Sequence, residues 1–93
     1  MDPIMAQLRA RYVASFPEKR ALLQAAWQAI PTHPGAKMDL RVLCHKLAGS
    51  APMYEFMELG AAAREACNAI DSSYENAAVA THIDSILTIL ARD

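Results

Sequence analysis

Apolar residues recur every three or four positions along almost the whole chain, the spacing that one face of an α-helix requires. The pattern is clearest in the middle of the chain, at Leu40, Leu43, Cys44, Leu47, Ala51 and Tyr54. Only three glycines occur, and neither Asn-Gly nor Asp-Gly is present, so the tight turns of β-hairpins are not expected. The sequence therefore predicts an all-α fold.

The length of 93 residues corresponds to a single domain, which we place at residues 1–93. Apolar residues make up 54% of the chain, and many of them are alanines, which favour helices. The predicted connections are short, so successive helices should lie antiparallel. We predict an antiparallel four-helix bundle with a short additional helix at the N-terminus. The apolar positions that mark one face of each helix outside the third are Ile4, Leu8, Tyr12, Phe16, Leu23, Ala26, Trp27, Ile30, Leu59, Ala63, Ala66, Cys67, Ile70, Val79, Ile83, Ile86 and Leu90, and Trp27 is expected in the core or at its half-buried edge.

Local signals mark the helix ends. Asp2, which precedes a proline, predicts the N-cap of the first helix, and Ser-Phe-Pro-Glu at residues 15–18 predicts a capping box for the second. Residues 31–35 contain two prolines and a glycine and should end the second helix. Pro52 predicts a kink or an early end of the third helix, because proline removes a backbone hydrogen bond. Residues 72–75 predict a second capping box before the last helix.

Charge and composition exclude several classes of protein. Nine basic and ten acidic residues give a formal charge of −1, so no nucleic-acid partner is expected. No apolar run approaches the roughly 18 residues of a membrane span, and the N-terminus lacks the basic start of a signal peptide, so we expect a cytoplasmic protein without a membrane partner. The two cysteines do not form a disulfide framework. We expect Cys44 to lie near Cys67, both buried and reduced.

His45 lies on the predicted third helix, away from its apolar stripe. At about 100° per residue it points about 150° from the centre of that stripe near Leu47, and so faces outward. A glycine inside a helix costs about 1 kcal/mol relative to alanine. Gly49, one turn after His45, therefore indicates that something approaches the backbone closely there. The outward surface around His45 is predicted to include Met38, Arg41, Val42, Ala48, Gly49 and Pro52.

An exposed imidazole permits phosphoryl chemistry. Neutral imidazole is a good nucleophile towards phosphorus near neutral pH, and phosphoryl transfer depends mainly on positioning and charge neutralisation. Arg41 and Lys46 supply positive charge close to His45 in the sequence. The chain has no P-loop, no glycine-rich nucleotide loop and no evident metal-binding carboxylate cluster. We therefore expect no bound cofactor, no metal site and no autonomous kinase activity.

A family resemblance appears at residues 45–51, which read His-Lys-Leu-Ala-Gly-Ser-Ala. This segment resembles the signature of histidine-containing phosphotransfer (HPt) domains, a histidine followed by x-Leu-(Lys/Ala)-Gly-(Ser/Ala)-(Ser/Ala). Residues 54–59, Tyr-Glu-Phe-Met-Glu-Leu, are similar to the aromatic-Gly-Phe-x-x-Leu segment of that family, and residues 63–65 extend the match. The chain departs from the pattern at Ala48, where lysine is common, and at Pro52 and Glu55, where glycines are frequent.

The resemblance implies a helical bundle that acts as a phosphorelay intermediate in two-component signal transduction. It implies that His45 is the phosphoacceptor and that Gly49 allows close approach. The implied partner is the receiver domain of a response regulator or hybrid histidine kinase, which would dock over His45 and carry the Mg²⁺. Lys46 could replace the charge that is missing at Ala48. We expect the protein to be a monomer.

Other interpretations compete with this one. A sensor-kinase dimerisation and phosphoacceptor domain also presents a helical histidine, but it usually has an acidic residue where Lys46 stands, and it completes its bundle with a second chain. A non-catalytic helical adaptor related to HPt domains is the other alternative. At single positions, Gly49 could be a helix-packing residue. Ser50 could form a hydrogen bond with the phosphoryl group, but we interpret it as an ordinary surface serine.

Overall fold

The computed structural model describes residues 2–72 and 76–92, and within these ranges the chain is helical and contains no strand. The all-α prediction is therefore confirmed. No helix in the described ranges is long and apolar enough to cross a membrane. The elements in order are α1 (Pro3–Ala14), α2 (Phe16–Ala29), α3 (Ala36–Ser50), a 3₁₀ turn (Ala51–Tyr54), α4 (Met57–Asp71) and α5 (Asn76–Arg92).

Four helices, α2 to α5, pack compactly around one apolar core. Helix α3 contacts α2 and α4, and α5 contacts α4 and α2. The stripe predicted for α3 is confirmed, because Leu40, Cys44 and Leu47 are buried. Among the described residues no polar or charged side chain is buried, so apolar packing is the main source of stability. Of the apolar positions singled out on the other core helices, those that are buried are Phe16, Leu23, Leu59, Ala63, Ala66, Cys67, Ile70, Val79, Ile83, Ile86 and Leu90. Ala26, Trp27 and Ile30 are only partly buried, and Ala69 and Ile89 are buried although the sequence analysis did not single them out.

Helix α1 meets the rest of the molecule near its C-terminal end. Ile4 is 68% exposed and Leu8 is 39% exposed, so the first two residues of the apolar face of α1 lie outside the core. The reason is that α1 makes few contacts: it meets α2 and the 3₁₀ turn, and it reaches the last residue of α3 through Tyr12. Of the three predicted residues, Tyr12 alone reaches the core.

Tyr12 ties α1 to the end of α3. Its hydroxyl lies 2.6 Å from Ser50 Oγ, and its ring stacks on Tyr54 with centroids 4.5 Å apart. Arg9 strengthens the contact, because its Nε donates to the Tyr54 carbonyl at 3.2 Å and its guanidinium lies 4.3 Å from the centre of the Phe56 ring. Ser50 is thus engaged in a tertiary hydrogen bond and is not an ordinary surface serine.

The predicted helix caps have different outcomes. Asp2 caps α1 as expected, because its Oδ1 accepts from the Ile4 N–H at 2.8 Å. The capping box at residues 15–18 is wrong: Ser15 has helical backbone angles and makes no cap hydrogen bond. An N-cap needs a non-helical backbone to turn its side chain onto the free N–H groups. Ser15 Oγ instead donates to the Tyr12 carbonyl and accepts from Lys19 Nζ. The capping box predicted at residues 72–75 extends outside the described residues.

The connection between α3 and α4 is a tight turn. Helix α3 ends at Ser50, two residues before Pro52, which confirms the predicted early end. Glu55 follows the 3₁₀ turn with a φ of 69°, in the left-handed region. Its N–H donates to the Pro52 carbonyl, and the Phe56 N–H donates to the Ala51 carbonyl at 2.9 Å. The backbone therefore adopts at Glu55 a conformation that glycine would adopt more easily.

Candidate functional site around His45

His45 projects from the outer face of α3. Its side chain is exposed. Cys44, the residue before it, and Leu47, two residues after it, are buried in the core. The cause is the helical period, which carries successive side chains about 100° around the axis. The outward orientation predicted from the sequence is confirmed.

Apolar side chains surround His45 on the same surface of α3. Val42 lies one turn before it and Met38 two turns before it, and they are 41% and 61% exposed. On the other side, Ala48 and Pro52 are half-buried. The face that carries the imidazole is thus mostly apolar.

Gly49 has open space beside it. A Cβ placed on Gly49 would meet no heavy atom within 4 Å in the described part of the chain, apart from its own helix backbone and its chain neighbours. The residue is exposed, and in residues 2–72 and 76–92 no other helix comes within 4 Å of that Cβ. The alternative that Gly49 is a helix-packing residue is therefore wrong. Gly60, which the sequence did not single out, has that role, because its Cβ would stand 2.7 Å from Pro52 Cγ.

Arg41 is bound to a carboxylate on the neighbouring helix. Its Nε donates to Asp71 Oδ1 at 2.5 Å and its Nη2 donates to Asp71 Oδ2 at 3.0 Å, a bidentate pair across α3 and α4. The hydrogen bond from Arg41 holds the pKa of Asp71 below its usual value, and the charge of nearby His45 acts in the same direction. The same hydrogen bond raises the pKa of Arg41. Asp71 is a site residue that the sequence analysis missed.

Lys46 lies on the other flank of α3, towards α2. It lines a shallow groove of about 240 Å³ together with Lys19 and Ser50, with Leu43 and Leu47 at its floor. Arg41 is instead engaged with α4. The structure therefore separates the two predicted phosphate-neutralising residues, with one on each side of His45.

A second groove lies beside Val42, between α2 and α3, and measures about 460 Å³. Leu22 of α2 borders both grooves and is 48% exposed. The sequence analysis placed the apolar surface on α3 alone, because the contribution of α2 depends on how the two helices pack. The lining of this groove is apolar except at its end, with Leu22, Ala25, Ala26, Ala29, His33, Ala36, Asp39, Val42 and Leu43.

The two cysteines lie beneath this surface. Both are buried and free, as predicted, and burial together with the neighbouring Cys67 raises the pKa of Cys44 to about 12. Cys67 Sγ donates to the Arg41 carbonyl at 3.7 Å. Within residues 2–72 and 76–92 no group of three or more His, Cys, Asp or Glu side chains is arranged to hold a metal ion. The thiols are packing groups in this arrangement.

The other histidines lie away from the site. His33 borders the far end of the second groove, and His82 of α5 has its Nδ1 3.7 Å from Glu65 Oε2 of α4.

Comparisons with protein-family models, with curated proteins and with solved structures found no match. The resemblance of residues 45–65 to HPt domains therefore stays a prediction, and the choice of a function depends on the arrangement of side chains around His45.

Proposed function

We propose that this protein is an HPt-like phosphorelay intermediate, which accepts a phosphoryl group on His45 and passes it on. The observation that carries the proposal is the pairing of an exposed His45 with Gly49, one turn later, beside open space. A helix-surface glycine that packs against nothing lowers helix stability by about 1 kcal/mol relative to alanine. Such a residue is useful where another molecule must come close to the backbone.

The chemistry is an exchange between His45 and an aspartyl phosphate of a receiver domain. The Nε2 lone pair of His45 attacks phosphorus while the bond between phosphorus and the aspartate oxygen breaks, and the carboxylate leaves with the electron pair. The proton on Nδ1 stays in place, so the phosphorylated ring carries it. The reverse reaction passes the group to a second receiver. Mg²⁺ belongs to the receiver, where it would neutralise charge on the phosphoryl oxygens.

The docking surface is the apolar area around His45. Met38, Val42, Ala48, Gly49 and Pro52 form it on α3 and the 3₁₀ turn, and both grooves against α2 extend it to Leu22. A flat receiver face could bury these side chains while its aspartate reaches the imidazole. Arg41 and Lys46 would stand at the rim, where charges act mainly on the rate of association.

We also infer the finer architecture, an antiparallel four-helix bundle with α1 as an additional N-terminal helix. Two contacts support opposite directions for α3 and α4, because in each the two partners lie equally far before and after Phe56 in the chain. The contacting pairs are Arg41 with Asp71 and Pro52 with Gly60. For α4 and α5, Glu58 near the start of α4 binds Arg92 at the end of α5. The four core helices of one chain enclose the apolar core, which favours a monomer over the two-chain bundle of a sensor-kinase dimerisation domain.

Phosphotransfer profiling tests the proposal. The purified chain is mixed with each of a set of ³²P-labelled receiver domains, and transfer to this chain is followed over time. We expect one or a few receivers to label the wild type rapidly and to leave His45→Gln unlabelled, while the helical circular dichroism of the variant is unchanged. His33→Gln and His82→Gln are matched controls and should be labelled normally. Label that survives in His45→Gln, or a wild type that no receiver labels, contradicts the proposal and leaves the adaptor alternative.

A further inference from the structure

The Arg41–Asp71 pair lies next to the proposed phosphoacceptor. Arg41 precedes His45 by four residues on α3, so the two side chains are neighbours on the same helix face. The fork of Arg41 is occupied by both oxygens of Asp71 from α4. A cation and an anion therefore stand side by side at the edge of the site, and the cation is already engaged.

This ion pair is accessible to solvent and to competing anions. The side chains of Arg41 and Asp71 are 36% and 47% exposed, and ion pairs at such positions are weak because water competes for both charges. The planar fork of arginine fits the oxygens of a phosphoryl group as well as it fits a carboxylate. A phosphoryl group on His45 would bring about two negative charges within reach of Arg41.

We propose that Asp71 is a positioning residue, which holds Arg41 beside His45 in the unphosphorylated protein and yields it to the phosphoryl group once His45 is modified. This inference rests on the proposed function. Asp71 then has two effects of the same sign: it competes for Arg41, and its carboxylate repels the phosphoryl group. Both effects lower the stability of the phosphorylated state, so Asp71 favours passing the group onward over keeping it.

Substitutions of Asp71 and of Arg41 should change the stability of phosphorylated His45 in opposite directions. Asp71→Asn removes the competing charge and leaves Arg41 free, so it should stabilise phosphorylated His45. Arg41→Ala removes the ligand and leaves Asp71 uncompensated, so it should destabilise the phosphorylated state. In the double variant both charges are gone, and the result should lie between those of the two single variants.

Phosphoramidate, a small phosphodonor, measures this without any receiver. A bond forms between phosphorus and His45 Nε2 as the P–N bond of phosphoramidate breaks, and ammonia leaves with the electron pair of that bond. At a fixed ratio of phosphoramidate to ammonium, ³¹P NMR gives the ratio of phosphorylated to free protein. We expect this ratio to rise about two- to fivefold in Asp71→Asn and to fall by a similar factor in Arg41→Ala. Glu65→Gln, which changes an exposed carboxylate of α4 paired with His82, is the matched control and should leave the ratio unchanged.

A spectroscopic measurement separates positioning from a merely structural role. The Arg41 Nε–H resonance should shift when wild-type protein is phosphorylated, because its partner changes from a carboxylate to a phosphoryl group. Unchanged ratios in both single variants, or an Arg41 resonance that does not move, would overturn the inference while leaving the proposed function intact. A wild type that takes up no phosphoryl group at His45 from either phosphoramidate or receivers would overturn both.

Discussion

A Cβ on Gly60 would stand 2.7 Å from Pro52 Cγ, so these two residues can face each other across the α3–α4 turn only because one of them is glycine. The contacting atom belongs to a proline ring fixed to the backbone, and it cannot swing away. Gly60→Ala should therefore lower the free energy of unfolding by about 1–2 kcal/mol, the cost of overpacking exceeding the gain in helix propensity. Gly49→Ala is the matched control and should raise it by about 1 kcal/mol, because its Cβ enters open space. Urea unfolding followed by circular dichroism measures both free energies. A change in the same direction in the two variants would contradict the packing argument.

Glu55 is the position where the backbone is strained. Its φ of 69° costs a residue with a Cβ about 1 kcal/mol, whereas glycine adopts it freely. Glu55→Gly should therefore raise the free energy of unfolding by about 0.5–1 kcal/mol despite the greater freedom of the unfolded chain. Glu65→Gly, inside α4, should lower it by about 1 kcal/mol. Loss of stability in both variants would mean that the Glu55 side chain makes a compensating interaction.

Gly49 also tests the close approach of a partner. Gly49→Leu should block transfer from a phosphorylated receiver, because a bulky side chain one turn from His45 would hold the partner off. The same change should leave the fold intact or slightly more stable, since glycine is the poorer helix former. Gly49→Ala adds only a methyl group and should retain part of the rate. Transfer by Gly49→Leu at the wild-type rate would show that no partner comes near this position.

Leu22 tests the part of the docking surface that lies on α2. Its half-exposed side chain borders both grooves, so Leu22→Ala should change the stability of the fold by less than about 0.5 kcal/mol. Loss of apolar contact of about 1 kcal/mol should lower kcat/KM for transfer about fivefold. Ile4→Ala on α1 removes an exposed apolar side chain that borders neither groove, and it should leave transfer unchanged. Equal effects of the two substitutions would remove α2 from the docking surface.

The thiol of Cys44 predicts an alkaline loss of stability. Burial raises its pKa from 9.0 to about 12, so the folded protein keeps the proton at a pH where the unfolded chain releases it. Stability from this group is complete below pH 9 and is lost as the pH rises from about 9 towards 12, by about 1 kcal/mol between pH 9 and pH 10. Cys67 and Tyr12, whose pKa values are also raised by burial, add to the trend. Urea unfolding under reducing conditions at pH 7, 9 and 10 measures it, and Cys44→Ala should flatten the slope.

The core of the fold could be predicted because its signal repeats. Leu40, Cys44 and Leu47 are spaced so that only a helix buries them together, and the same period places His45 outside. The errors occur where a single local pattern was interpreted alone. Ser15 satisfies the sequence pattern of a capping box, but its hydroxyl binds the Tyr12 carbonyl of the preceding helix instead. A four-residue motif does not contain the information that decides between those partners.

The candidate site could be predicted only on one helix. His45 and Gly49 follow from the register of α3, whereas Asp71 and Leu22 reach the site from α4 and α2. Arg41 and Asp71 face each other because they are equally distant along the chain from Phe56, at the centre of the α3–α4 turn. The position of this centre depends on the 3₁₀ turn and on the left-handed backbone at Glu55. Pro52 signals the early end of α3, but the left-handed backbone at Glu55 has no specific sequence signal, because glycine usually marks such a position and the chain has glutamate there.

The hydrogen bond between Tyr12 and Ser50 gives the N-terminal helix a mechanical role. Ser50 is the last residue of α3 and directly follows Gly49. The hydrogen bond with Tyr12 therefore holds the last turn of α3 at the point where glycine lowers its helix stability. We expect local opening of this turn to break the Tyr12–Ser50 hydrogen bond, and fraying of α1 to make that opening easier. We therefore expect the protection of the Gly49 region against amide exchange to depend on a segment that lies outside the four core helices.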